Sequence, residues 1–247
     1  MFVDHFSDLS EAYARFRPRY PASLFSHLAS LCPARNTCWD CGTGSGQAAT
    51  ALAAQFERVV ATDASRAQLM HAEPHPRVEY RCEPASASSL PDGAVDLVTA
   101  ASAVHWLDLP SFYAEARRVL RPDGVIALWT YGVGPEVSPE VDRVLEHYAT
   151  AVLGPYHPPE LEVVRRGYRD LWFPFDEVLC PAFAIDVSWT LHDLVGVIET
   201  WSAAGRYLRA TGTRPTLAVR DELRRAWGDP DATRPVRLPL HLRVGRT

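Results

Sequence analysis

The chain has 247 residues, a formal net charge of −5, 47% apolar residues and 22% charged ones, which suits one globular domain with a full core. Its arginines are dispersed among acids rather than gathered in a basic stripe, so it carries no electrostatic footprint for nucleic acid. No apolar run approaches the roughly 18 residues of a membrane span, and Met1-Phe2-Val3-Asp4-His5 has no leader pattern; a cytoplasmic location and no membrane partner are the expectation.

Phe6, Tyr13, Phe16 and Tyr20 interleave with Arg15, Arg17 and Arg19, and Arg17-Pro18-Arg19-Tyr20-Pro21 ends any helix through Tyr13. Leu24, Phe25, Leu28 and Leu31 at helical spacing predict a helix over 22–31. Cys38-Trp39-Asp40-Cys41 reads as a buried strand that runs into Gly42-Thr43-Gly44-Ser45-Gly46 and then a helix from Gln47. The alternating glycines let the backbone turn sharply and approach a ligand closely. A second strand, Arg58–Asp63, ends on an acid about 20 residues beyond the first glycine, where α/β nucleotide folds place a carboxylate on ribose hydroxyls. The pattern is G-x-G-x-G and not G-x-G-x-x-G, because position 47 is Gln. Close approach to a nucleoside is therefore expected more than a pyrophosphate on the helix N-terminus.

Five cysteines show no disulfide spacing. Cys38-x-x-Cys41 lacks a second pair to complete a zinc site, and strand residues three apart face opposite sides, so core packing and no metal are expected. Ser65 caps a short helix over 66–72, and Val78–Cys82 alternates as a third strand. Pro91-Asp92-Gly93 turns into a continuously apolar fourth strand, 95–100, as in a sheet covered on both faces. Beyond its carboxyl end come Ala101, His105 and Trp106, the region where open α/β sheets bind ligands. A helix over 110–120 and a turn, Arg121–Gly124, precede strand five, 125–130. Prolines and aromatics crowd residues 133–175, where two helices are expected, near 140–152 and 161–172. A sixth strand over 177–187, helices over 191–207 and 215–227, and a terminal strand over 238–244 complete the reading. Pro239 keeps its N–H side out of a central ladder.

The stretch from Asp40 to Gly46, with Asp63, resembles motif I and the acidic strand end of class I S-adenosylmethionine-dependent methyltransferases. "YARFRPRYP" and "RVLRPDGVIAL" resemble the type 11 and trans-aconitate methyltransferase-like branch. The resemblance implies an α/β, Rossmann-like doubly wound seven-stranded sheet, last strand antiparallel, with helices on both faces and a small inserted helical cap. It implies one domain: a lid over about 1–30, a core over about 30–131 and 175–247, and a cap over about 133–175. S-adenosylmethionine is the implied cofactor, with Asp40, Gly42, Thr43, Gly44, Gly46, Asp63, Ala64, Ser86, Ala87, Ser88 and Ala101 around it and Tyr13 and Arg17 over it. Relatives carry an acid on the adenine amino group where Ser86 and Ser88 flank Ala87 here. Tyr20, His105, Trp106, Trp201 and Tyr207 become substrate contacts, with His105 and Trp106 at the chemistry. Asp96 is implied to be structural.

A carboxylate acceptor is ionised at neutral pH and needs no general base, and the sequence shows no carboxylate dyad or Ser/His/Asp set. Transfer to the carboxylate oxygen of a small organic acid is therefore expected, by a monomer or homodimer. The alternatives are an N- or C-methyltransferase using His105 as base, a nicotinamide-dependent oxidoreductase, and a non-catalytic cofactor binder.

Overall fold

A computed structural model describes residues 16–132 and 134–247; Tyr13 lies outside them. In chain order the elements are α1 (Ala22–Leu31), β1 (Thr37–Cys41), α2 (Gln47–Leu52), β2 (Arg58–Asp63), α3 (Arg66–Leu69), β3 (Val78–Cys82), β4 (Val95–Ala101), α4 (Leu109–Val119) and β5 (Leu120–Thr130). Then follow α5 (Pro139–His147), α6 (Glu162–Arg165), β6 (Asp176–Glu177), β7 (Phe183–Trp189), α7 (Leu191–Glu199), α8 (Ser202–Thr211), α9 (Arg220–Trp227) and β8 (Arg234–Arg246).

The described residues build an eight-stranded sheet in the order β3-β2-β1-β4-β5-β8-β6, with β7 also on β8. Strands β1 to β5 are parallel to their neighbours, and β8 is antiparallel to β5. The order reverses between β1 and β4, the switch point where such sheets bind ligands beyond the strand ends. Side chains alternate between two cores, as a period-two strand requires. Along β5, Val125, Ala127 and Trp129 enter one core while Ile126 and Leu128 enter the other. Cys38 and Cys41 are likewise buried in opposite cores, as their spacing predicted.

Asp96 is fully buried, pairs with Arg121 at 2.6 Å and accepts the backbone N–H groups of Asn36 and Thr37. It ties the entry of β1 to β4 and is far in role from the chemistry. The terminal strand is longer than the 238–244 expected. Its residues 241–246 pair with β5, while 234–240 run on beyond and pair with β7. Pro235 and Pro239 fall in that second half, where no β5 partner needs their missing N–H.

Several boundaries differ from expectation. The sixth strand divides into β6 and β7 around Pro181, which has no N–H to continue a ladder. The helix expected over 191–207 is two: Thr200 turns its hydroxyl onto the Val197 carbonyl at 2.6 Å, and Trp201 is extended at ψ 141°. The second helix expected within residues 133–175 shrinks to α6, because Gly167 and Tyr168 both take positive φ, 60° and 58°, which ends a right-handed helix. Helix α3 stops at Leu69, and the helix expected over 215–227 begins as a 3-10 turn, Pro215–Ala218. The stretch between β5 and β6 also spans both layers: Val141, Leu145 and Tyr148 join the first core, Val164, Tyr168 and Leu171 the second.

Candidate active site

Gly42, Gly44 and Gly46 all adopt left-handed φ, 66°, 57° and 81°. A Cβ on Gly42 would lie 2.6 Å from the Ala103 Cβ, and one on Gly46 would lie 2.2 Å from the Tyr80 hydroxyl. At Gly44 the nearest atom is Gln68 Oε1, 3.8 Å away, so that glycine leaves room on its open side. The turn is pinned to the sheet by Thr43 N–H donating to Thr62 O at 3.0 Å.

Two acids hold the turn from below and beside. Asp40 is fully buried and accepts the hydroxyls of Thr43 (2.6 Å) and Thr99 (2.7 Å). Burial pushes its carboxyl up to about 6, against the pull of those two hydroxyls. Asp63, at the end of β2, accepts Gly44 N–H on one oxygen (2.9 Å) and Ser65 N–H on the other (2.8 Å). The spacing of glycine and acid in sequence thus becomes a direct bond between them. Asp63 also walls a cavity of about 690 Å³ that opens above the turn, a size within the usual range of about 300–1,000 Å³ for small-molecule sites.

Of the residues singled out in sequence, Gly42, Thr43, Gly44, Asp63, Ala64, Ser86, Ala101, Tyr20 and Trp106 line this cavity. Asp40 and Gly46 shape it from behind. Ala87 is exposed and Ser88 is used elsewhere: its N–H and hydroxyl both donate to Glu115, at 2.7 and 2.6 Å. The side chain of Arg118 closes that cluster and holds the Glu115 carboxyl down at about 2, well below the usual range, with the Ser88 bonds adding to it. Glu83, which sequence reasoning passed over, lies in the wall beside Ser86 and accepts Ser89 N–H at 3.0 Å.

Of residues 16–20, Tyr20 lines the cavity. Tyr20 lies edge-on to Trp129, with ring centroids 5.6 Å apart, and its hydroxyl is 3.5 Å from Ser102 Oγ. Arg17 does not line the cavity; it bonds Thr200 Oγ1 at 2.9 Å and the Tyr131 hydroxyl, and its carbonyl accepts from Gln47. Phe16 packs on Gly196, where a Cβ would meet the ring at 2.5 Å. The segment therefore ties α2 to the break between α7 and α8.

Ser102, just past β4, takes φ 50° while its N–H donates to Trp129 O at 2.7 Å. A left-handed serine in the cavity wall marks backbone strain at the strand end, and only the structure shows it. His105 and Trp106 follow on a 3-10 turn, rings 4.8 Å apart. Trp106 lines the cavity; His105 turns its Nδ1 to the Tyr168 hydroxyl at 2.9 Å. Burial pushes the His105 imidazole down to about 3, so it is neutral at physiological pH. Asp108, N-cap of α4, and Glu160 complete that end of the cavity.

Residues 39–128 match a family model described as a methyltransferase domain. A Dictyostelium discoideum protein bearing a methyltransferase name is 32% identical over 93% of this chain and 89% of its own length. The chain belongs to the methyltransferase family. A solved structure from Anaeromyxobacter dehalogenans, assigned as a type II methyltransferase, is 45% identical, covers 94% of this chain and 98% of its own, and superposes with a TM-score of 0.87. A yeast protein, described as an S-adenosylmethionine-dependent methyltransferase, is 32% identical over 51% of this chain and 46% of its own length. With the sheet order and glycine turn, these place this methyltransferase in class I, with S-adenosylmethionine as its cofactor.

The wall of this methyltransferase fits that cofactor. Gly44 offers open backbone, Asp63 stands where ribose hydroxyls are expected, and the acids Asp63, Glu83, Asp108 and Glu160 suit a cationic sulfonium. Trp201 and Tyr207 are not in the wall. Trp201 packs on Tyr148 with centroids 5.8 Å apart, and Tyr207 on Tyr156 at 4.9 Å.

Proposed function

We propose that the protein methylates a small molecule that enters beside Trp106, Asp108 and Glu160, and that the methyl-accepting atom needs no general base. The observation that carries this is the setting of His105, whose Nδ1 is taken by the Tyr168 hydroxyl at 2.9 Å. Its imidazole, held at about 3 by burial, is a poor proton acceptor near neutral pH, where an efficient base needs a pKa near the working pH. When bound, S-adenosylmethionine supplies the methyl group on a positively charged sulfur. The protein's part is then placement: the glycine turn and Asp63 hold the nucleoside end, and Trp106 and the strained Ser102 shape the acceptor end. Orientation of this kind supplies on the order of 7–11 kcal/mol in the best intramolecular cases.

A carboxylate oxygen of a small organic acid meets the requirement, since it is ionised without help. This supports the acceptor expected from the sequence. A neutral nitrogen base is the second reading, favoured by Asp108 and Glu160 in the wall, which repel an anion and suit the cationic product. Both acids are exposed, and exposed charges contribute only about 0–1 kcal/mol each, so the acidic wall weighs less than the weak basicity of His105. Incubation with methyl-labelled S-adenosylmethionine and a pool of organic acids and amines separates the two. Label released as methanol in mild base identifies an ester; base-stable label on a cationic product identifies nitrogen. Label on a carbon, or on an ordinary alcohol oxygen, would refute the base-free mechanism.

A further inference from the structure

Tyr168 is fully buried, yet it comes from the stretch between β5 and β6 and adopts φ 58° directly after Gly167 at φ 60°. Such a conformation persists only where its surroundings over-determine it, and here they do. Arg243 of β8 donates to the carbonyls of Tyr168 (3.0 Å) and Leu171 (3.1 Å), with its guanidinium 5.0 Å from the centre of the Phe173 ring. A Cβ on Gly167 would lie 2.6 Å from His241 Nδ1, so the turn sits flush against the sheet. The result of this anchoring is one contact at the site: the phenol 2.9 Å from His105 Nδ1.

Burial raises the phenol's own pKa, so it keeps its proton. A neutral imidazole has one donor and one acceptor nitrogen, and the partner of one fixes the role of the other. We infer that Tyr168 is a positioning residue for His105: the phenol donates to Nδ1, and His105 is held as the Nε2–H tautomer, a hydrogen-bond donor to an oxygen or nitrogen lone pair of the methyl acceptor. This rests on the reading that the acceptor binds beside Trp106, and it assigns His105 to orientation rather than proton removal. A carboxylate would be gripped through the oxygen that is not methylated.

The test is 15N NMR of the histidine-labelled protein with S-adenosylhomocysteine bound, the His105 signals being assigned by their loss in His105→Gln. The expected spectrum shows an unprotonated Nδ1 accepting a hydrogen bond and a protonated Nε2. In Tyr168→Phe, the two tautomers should exchange. With the acceptor found by labelling, that variant should lose about two- to tenfold in kcat, the equivalent of one neutral hydrogen bond, while the KM for S-adenosylmethionine stays put. A purely structural Tyr168 would leave the tautomer unchanged. Nδ1–H in the wild-type protein overturns the inference even if Tyr168→Phe does not fold. An acceptor other than an acid or amine would defeat the base-free reading while leaving the tautomer result intact.

Discussion

Replacing Asp63 by Asn keeps shape and removes one charge, and the structure says what each effect costs. The carboxylate accepts Gly44 N–H on one oxygen and Ser65 N–H on the other. A carboxamide has one oxygen, so either orientation points NH2 at a backbone N–H. Leaving one such donor unmet costs about 1–3 kcal/mol when buried; Asp63 is half-buried, so about 1 kcal/mol of stability is expected. On the ligand side, hydrogen bonds to a charged group are worth about 1.5–3 kcal/mol, which converts to roughly 10- to 100-fold in Kd at about 1.4 kcal/mol per tenfold. Isothermal titration with S-adenosylhomocysteine reads the second effect and urea unfolding without ligand reads the first. A Kd within twofold of wild type, in a folded variant, would refute the assignment of Asp63 to the cofactor.

Asp40 offers a pH test. Its folded carboxyl is raised to about 6, so the native state binds a proton more tightly than the unfolded chain. That stability is full below the ordinary carboxylate pKa of about 4 and is lost as pH rises through about 6, by about 3 kcal/mol. Urea midpoints of wild type should fall relative to Asp40→Asn across that window, and parallel profiles would count against it. Glu115 has the opposite sign: held at about 2, its contribution is present above the ordinary pKa and lost as pH falls toward 2. Glu115→Gln should cost about 2 kcal/mol at pH 7, allowing for solvent at Arg118, with the gap closing in acid unfolding profiles. Gly42→Ala must accept φ 66° and a methyl 2.6 Å from Ala103. A loss of about 2–4 kcal/mol, read as a lowered urea midpoint, is expected, and a midpoint equal to wild type would mean the turn is not rigid.

Much of the core was legible in sequence because its signals are local. The strands β1 to β5 announce themselves as apolar runs between glycine, proline and acid, and α1 has the bounds its leucine spacing predicts. Asp63 was legible because chain distance and spatial distance coincide across one strand–turn–helix unit. What the sequence hid depends on distant partners. The break at Thr200 is a bond to Val197 reinforced by Arg17, 183 residues away. Ser88 resembled an adenine contact but is held by Glu115, 27 residues on. Tyr168 looked like one more aromatic among residues 133–175; its left-handed backbone and its bond to His105 exist only once β8 is in place. A signal for Ser102 was absent, since nothing about a serine foretells φ 50°.

The central claim is that the cavity between the glycine turn and Trp106 takes S-adenosylmethionine. Equilibrium dialysis of the purified protein against methyl-labelled S-adenosylmethionine, with unlabelled S-adenosylhomocysteine or NADH as competitor, tests it most directly. One mole of label bound per mole of chain, displaced by S-adenosylhomocysteine and untouched by NADH, is the predicted result. Displacement by NADH, or no label bound to a folded protein, would contradict it.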